Sequence, residues 1–415
     1  MPHPMPYPMP YPMTQPITVP TIELTNCHEG YGHTLDYERL FGDFHANHGP
    51  MTGSGPPLPA NPDTFARRVL TWFDQHGRKD LPWKQDPSPY RVWISEIMLQ
   101  QTQVVTVIPY FLRFMSRFPS LEDLARAEVD EVMAHWSGLG YYARARNLHR
   151  AARLILDQYA GRFPLQLDVV KSLPGIGRST AGAILSLATG QCHPILDGNV
   201  KRVLTRHRAI AGWPGLNPVL DLLWQLATSL TPRDRPGDYN QAMMDLGATL
   251  CTRARPQCAI CPLREDCQAR LVGQIRAYPY PKPRRSLPSR ATRILILANP
   301  RGEILLERRP PTGIWGGLWT LPECGLDQEA ADWCQEHLGV DAMLVEKMPP
   351  RRHTFSHFDL EIWPQRLDLA REPDRLAEGD RRLWHRLGEP LSLGLPAPIR
   401  RLLRELGVVP DSAFT

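Results

Sequence analysis

The sequence predicts a multidomain chain, an all-α region followed by a smaller mixed α/β domain. Three observations predict this. Apolar residues recur at helical spacing from residue 61 to about 275, with short loops between them. A stretch punctuated by proline then ends in bases, Tyr278-Pro279-Tyr280-Pro281-Lys282-Pro283-Arg284-Arg285, and reads as an extended linker. Beyond it the period shortens. Residues 291–298 (ATRILILA) and 303–307 (EILLE) form two strands around the turn Asn299-Pro300-Arg301-Gly302. At 415 residues the chain also exceeds what one ordinary core accommodates.

Taken in order, residues 1–60 are rich in Pro, Met, Tyr, Gly and His without a lasting apolar period, so we expect disorder there. The start has prolines every second or third position and no basic segment, continuous apolar stretch or cleavage site. It does not read as a signal peptide. Folding begins near Pro62, where Phe65, Val69, Leu70 and Phe73 mark a helix. Residues 92–115 are strongly apolar, with Pro109 expected to interrupt them. Helical stripes follow over 121–136 and 143–159, and a longer segment over 219–251. We place the helical domain at 61–275, the linker at 276–292 and the second domain at 293–410, with a short helix over 329–338. The apolar runs fall well short of the ~20 residues needed to cross a bilayer, so no membrane partner is expected.

Charge is distributed unevenly. Residues 61–290 hold 31 Lys or Arg against 19 Asp or Glu, whereas the rest holds 17 against 24. A basic middle section draws polyanions by releasing their counterions, although a solvated basic face is the bland alternative. Four of the eight cysteines crowd together as Cys251-x6-Cys258-x2-Cys261-x5-Cys267, which is no disulfide framework and suits one metal centre in a reducing compartment. Spacing alone leaves structural zinc and an iron–sulfur cluster both open. Arg253, Arg255 and Arg264 lie among these cysteines and would present cations to a phosphate backbone.

Two further motifs carry chemistry. Leu173-Pro174-Gly175-Ile176-Gly177-Arg178-Ser179-Thr180 links two helical stretches, its glycines permitting positive φ and close backbone approach. The N–H groups opening the next helix form a ready phosphate site. Leu196-Asp197-Gly198-Asn199-Val200 follows, with Asp197 at the mouth of a helix whose apolar positions are Val200, Val203 and Leu204. Asp197 is either a plain N-cap or a functional carboxylate. Upstream, Glu96 sits in an otherwise apolar helical run, as a core residue paired with a cation or as an acid tuned by burial.

The segments LPW at 81–83, SEIMLQQTQ at 95–103, GLGYYARARN at 138–147, LPGIGRSTAGAI at 173–184, ILDGNVKRV at 195–203 and NQAMMDLGA at 240–248 stand in one order. With the cysteine loop and Phe355-Ser356-His357, they closely resemble the adenine DNA glycosylases of the MutY family, from about residue 65 to 410. The resemblance implies an all-α helix–hairpin–helix glycosylase core with one [4Fe–4S] loop, followed by an α/β Nudix-like domain. The cofactor implied is that cluster on Cys251, Cys258, Cys261 and Cys267, in a structural and DNA-docking role.

The resemblance also implies site roles. Glu96 matches the general acid that protonates adenine N7, and Asp197 the carboxylate facing the departing sugar. That second group stabilises the cation or forms a transient covalent adduct. Adenine leaves poorly unless protonated, so one carboxyl must keep its proton near neutrality while the other stays charged. Apolar burial favours the first, and a helix N-terminus with hydrogen bonds favours the second.

Base chemistry in a duplex requires the nucleotide to be extruded. Gln101 and Tyr141 match the wedges that fill the gap. Thr102 and Leu139 match contacts to the orphaned partner base, Trp83 and Gln241 the adenine pocket, and Asn199 a residue near the sugar and its water. Gly175 and Gly177 belong to the phosphate-gripping hairpin. Ser179 stands where bifunctional relatives carry a Schiff-base lysine, and a hydroxyl cannot form that imine. Phe355, Ser356 and His357 match the loop that inspects 8-oxoguanine.

Residues 329–336 lack the glutamate-rich magnesium pattern of active Nudix hydrolases, so no diphosphate hydrolysis is expected. The expectation is therefore a monofunctional adenine glycosylase for A opposite 8-oxoguanine or G. We expect it to act as a monomer on duplex DNA in the cytoplasm, at the nucleoid. The alternative is a bifunctional glycosylase and lyase of the endonuclease III type.

Overall fold

The computed structural model describes residues 62–283, 287–355, 357–373, 381–391 and 393–407, so the expectation for residues 1–60 lies outside it. The first part is helical. Helix α1 (Pro62–His76) buries Phe65, Val69, Trp72 and Phe73 along one stripe. Helices α2 (Pro89–Leu99) and α3 (Val104–Arg117) follow, then the short α4 (Leu121–Arg126) and α5 (Val129–His135) and the long α6 (Ala143–Tyr159). Next come α7 (Leu167–Ser172), α8 (Arg178–Thr189), α9 (Gly198–Arg208), α10 (Asn217–Leu230) and α11 (Pro236–Asp245), with a π-turn over Leu246–Leu250. A short α12 (Gln268–Leu271) ends this part after the cysteine loop.

Three boundaries differ from expectation, each for a local reason. The apolar run over 92–115 breaks at residues 100–103, not at Pro109, which lies inside α3. Pro109 cannot donate to the carbonyl of Val105, but Val105 is 73% exposed and water can take that bond. The stripe over 121–136 divides at Ala127 and Glu128, both extended. The segment over 219–251 divides at Thr231, before Pro232 and a second proline that opens α11.

The helices bury two cores. One is built mainly from α2 to α8, with Trp93, Phe111, Phe114 and Trp136 fully buried. The other joins α1 to α9, α10, α11 and the π-turn. Helix α8 packs against both α2 and α11, and so lies along the seam.

The second part is a sheet with helices α13 (Ala330–Leu338) and α14 (Ala397–Glu405). Its strands are β1 (Ser289–Ala298), β2 (Glu303–Arg308), β3 (Trp319–Thr320), β4 (Glu323–Cys324), β5 (Ala342–Lys347), β6 (Arg351–Thr354), β7 (Asp359–Leu369) and β8 (Arg382–Arg386). The path runs β3-β2-β1-β7-β5, with β4 also on β1, β6 on β7 and β8 on β2. The central β1–β7 pair is parallel, from Ser289 opposite Asp359 to Ala298 opposite Asp368. Both faces of β1 are covered. Ile294 and Ile296 pack with α14, and Leu295 and Leu297 with α13, as the two-residue side-chain period requires.

Candidate active site

A cavity of about 680 Å³ opens on the seam between the two helical cores. Glu96 reaches it from the last turns of α2, with Leu99 and Gln100, and Trp83 from the preceding short turn Pro82–Lys84. Asp197 reaches it from the start of α9, with Asn199 beside it, and Gln241 from α11. Thr102 and Ser179 complete the predicted residues on its wall.

The two carboxyls sit in different surroundings. Among the described residues, no group donates a hydrogen bond to Glu96, whose neighbours Ser95, Ile97 and Met98 are buried. A paired core glutamate would have a cation beside it, and this one faces the cavity. Burial, and secondarily the negative charge of Asp197, raise its pKa to about 8. Asp197 caps α9, its Oδ1 accepting from the Val200 N–H at 2.7 Å while Oδ2 accepts from Asn199 Nδ2 at 3.1 Å. Burial raises its pKa as well, against these bonds and the nearby Arg202, which lower it. The cap and its hydrogen bonds favour the charged form, as the sequence suggests, but burial opposes them. Burial outweighs the cap. Because the two groups share one cavity, the first proton still goes to Glu96, which has no donors, and the charge to Asp197, which has several.

The wall is built polar side chain by polar side chain. Ser179 Oγ accepts from the Leu196 N–H at 2.9 Å and ties the hairpin helix to the strand of chain that presents Asp197. Gln241 Nε2 donates to Asp245 Oδ1 at 2.8 Å, and Asp245, fully buried, also takes Arg78 Nε at 2.9 Å, Nη2 at 2.7 Å and the Arg78 N–H at 2.8 Å. An acceptor-only partner fixes the amide, so the Gln241 carbonyl oxygen is the group left for the cavity. Sequence reading missed Arg78 and Asp245. The four-residue step from Gln241 to Asp245 on one helix was the available signal.

The remaining predicted residues lie outside the cavity lining. Gln101 and Tyr141 are both exposed and both have positive φ, 59° and 50°. Leu139 is buried, its side chain in the first core. Gly175 has φ 79°, and an added Cβ would meet Asn147 Cβ at 2.9 Å. Gly177 differs from the expectation of a left-handed turn. Its φ is −92°, it is the exposed N-cap of α8, and space around it is open. Phe355 stacks on Phe358 at 4.5 Å, with His357 edge-on to Phe358 at 4.7 Å, on the sheet part. Ser356 lies outside the described residues.

Cys251, Cys258, Cys261 and Cys267 line one separate small cavity, with Arg206 Nη1 at 3.4 Å from Cys251 Sγ. Among the described residues, no three His, Cys, Asp or Glu side chains close around a single ion. Arg253, Arg255 and Arg264 are exposed beside this loop.

Residues 94–228 match the family of HhH-GPD superfamily base excision DNA repair proteins, and residues 293–405 match the NUDIX domain. An adenine DNA glycosylase of Buchnera aphidicola is 40% identical over 339 residues, covering 82% of this chain and 96% of that one. The adenine DNA glycosylases of Rattus norvegicus and Homo sapiens are 40% and 37% identical, over 72% and 71% of this chain and 70% and 65% of theirs. The chain belongs to the adenine DNA glycosylase family. This glycosylase is a base excision repair enzyme with a helix–hairpin–helix core and a C-terminal Nudix-like domain. No helix among its described residues is long and apolar enough to cross a membrane.

Proposed function

We propose that this glycosylase is monofunctional and hydrolyses the N-glycosidic bond of adenine mispaired with 8-oxoguanine or guanine in duplex DNA. The observation that carries the reading is the carboxyl pair in one cavity: among the described residues Glu96 has no donor and Asp197 has several. Glu96, protonated at neutral pH, donates to N7 of an extruded adenine as the bond to the sugar lengthens. Asp197 keeps its negative charge beside the sugar carbon that becomes cationic. Trp83 forms a flat apolar wall for the base, and the Gln241 carbonyl accepts from its exocyclic amine, which guanine lacks at that position.

Asn199, hydrogen-bonded to Asp197, stands near the sugar and its attacking water. Gln101 and Tyr141 wedge into the vacated stack, Thr102 and Leu139 lie toward the orphaned base, and Gly175 and Gly177 grip the backbone. Phe355, Ser356 and His357 inspect the partner base. Ser179 is already engaged with a backbone N–H and supplies no amine for a lyase step. We expect no diphosphate hydrolysis from the Nudix-like part.

Cys251, Cys258, Cys261 and Cys267 would hold a [4Fe–4S] cluster. The donor set supports this: four thiols line one shared cavity, and thiolates are the ligands such a cluster takes. When bound, the cluster supplies a cross-link that stiffens the loop carrying Arg253, Arg255 and Arg264, and takes no part in hydrolysis. The enzyme acts as a monomer on nucleoid DNA in the cytoplasm.

The test is to incubate the purified chain with A:8-oxoguanine, A:G, A:T and T:G duplexes and to measure abasic sites and strand nicks. Abasic sites from the first two duplexes, without nicks until base or heat is added, are expected. Excision from A:T at equal rate would overturn the mispair reading, and rapid nicking would support the bifunctional alternative.

A further inference from the structure

Arg144, at the start of α6, is buried, yet it joins two surface turns. Its Nη1 donates to the carbonyls of Ile97 at 2.9 Å, Met98 at 2.7 Å and Gln100 at 2.5 Å, which are orphan carbonyls at the C-terminus of α2. Its Nη2 donates to Thr102 Oγ1 at 3.2 Å and to the carbonyls of Leu139 at 3.3 Å and Gly140 at 3.2 Å. The same guanidinium lies against the rings of Trp136 and Tyr141, each 5.4 Å away.

The first three acceptors lie within the four residues before Gln101, Thr102 follows it, and the last two precede Tyr141. Both Gln101 and Tyr141 are non-glycine residues with positive φ, a conformation that costs about 1–2 kcal/mol each and persists only where the surroundings impose it.

We propose that Arg144 is a positioning residue that fixes the separation and aim of Gln101 and Tyr141, so that the two enter the base stack together, while Arg144 itself touches no DNA. This rests on the wedge roles proposed above. The chemistry of the clamp explains the residue type. A planar fork with several N–H donors can span acceptors from two turns, whereas a lysine ammonium has three donors at one point. Nearly all the acceptors are main-chain carbonyls, so the clamp sets backbone position whatever side chain the turn carries.

The experiment compares two substrates in single-turnover excision, which reads only folded enzyme. One is adenine stacked in an A:8-oxoguanine duplex. The other is adenine in a one-nucleotide bulge, which needs little unstacking. Arg144→Lys should slow excision from the duplex by ~10-fold or more, while the bulge is cut within about twofold of the unaltered rate. In parallel, 2-aminopurine placed beside the target should brighten less on binding. Equal loss on both substrates, or no loss, overturns the proposal.

Tyr141→Ala run alongside separates the two claims. If it too spares the duplex rate, the wedge reading falls, and the clamp falls with it. If it shows the duplex-selective loss and Arg144→Lys does not, only the clamp falls. Should Arg144→Lys not fold, Gly140→Ala strains the same turn at φ 76° with the guanidinium intact, and must give the same duplex-selective pattern.

Discussion

Asp197 has two jobs that one substitution can separate. Asparagine caps a helix about as well as aspartate, so Asp197→Asn should keep α9 and the Val200 bond while removing the charge. We expect excision to fall by ~10²–10³-fold with duplex affinity unchanged, read by single-turnover kinetics and fluorescence anisotropy. A loss under about tenfold would end the electrostatic role.

Glu96 makes a complementary prediction in stability. It keeps its proton up to about pH 8 in the fold, against 4.5 for an ordinary glutamate. The folded chain therefore binds more protons than the unfolded chain between those values, and stability falls as pH rises through that window. Glu96→Gln, neutral throughout, should unfold at a temperature that matches the parent near the acid end and exceeds it above about pH 8. Its excision should be lost at every pH. The parent's own excision should decline as pH rises through about 8, where the proton leaves. A pH-independent difference in unfolding temperature would contradict the burial argument.

At the scale of elements, the site depends on how closely the π-turn after α11 meets the start of α9. A Cβ on Gly247 would stand 2.5 Å from Asn199 Cβ and 2.9 Å from its Cα, and the Gly247 carbonyl accepts from Arg202 Nη2 at 2.7 Å. A π-bulge at this point serves that approach. Gly247→Ala, which touches neither carboxyl, should push Asn199 away from Asp197 and slow excision by ~10-fold, with little change in duplex affinity. An unchanged rate would show that the approach does not matter. Helix α3 teaches a related lesson. Its internal proline is tolerated because the carbonyl it orphans faces water, and the chain breaks instead where Arg144 draws off the last carbonyls of α2.

At the scale of the whole molecule and among the described residues, the Nudix-like part is joined to the helices by apolar packing and by polar contacts. Leu318 is fully buried within the first helical core, and Trp315 packs against it. Tyr142 accepts from the Gly138 N–H at 3.2 Å and donates to the Leu395 carbonyl at 2.8 Å, while Arg146 bonds the Gly316 carbonyl. Arg308 and Asp130 pair at 2.8 Å with side chains 24% and 36% exposed. Burial should outweigh the ion pair. We expect Leu318→Ala to cost about 2–5 kcal/mol in chemical denaturation and Arg308→Ala under about 1 kcal/mol. The reverse order would mean that charge, not packing, couples the two parts.

The sequence by itself determined the helical and sheet parts, the capping position of Asp197 and the crowding of four cysteines, because these follow from local period, capping chemistry and spacing. It also brought Glu96, Asp197, Thr102, Ser179, Asn199, Gln241 and Trp83 to notice, and they line one cavity. Only the tertiary structure decided what surrounds each group. Burial raises both carboxyls because α2 and α9 line one cavity on a seam that no local window contains. Asp245 and Arg144 are plain charged residues in the sequence, and their importance appears only when distant carbonyls, amides and guanidinium groups are folded onto them. Desolvation and hydrogen-bond partnership belong to the packed environment, and one-dimensional order does not carry them.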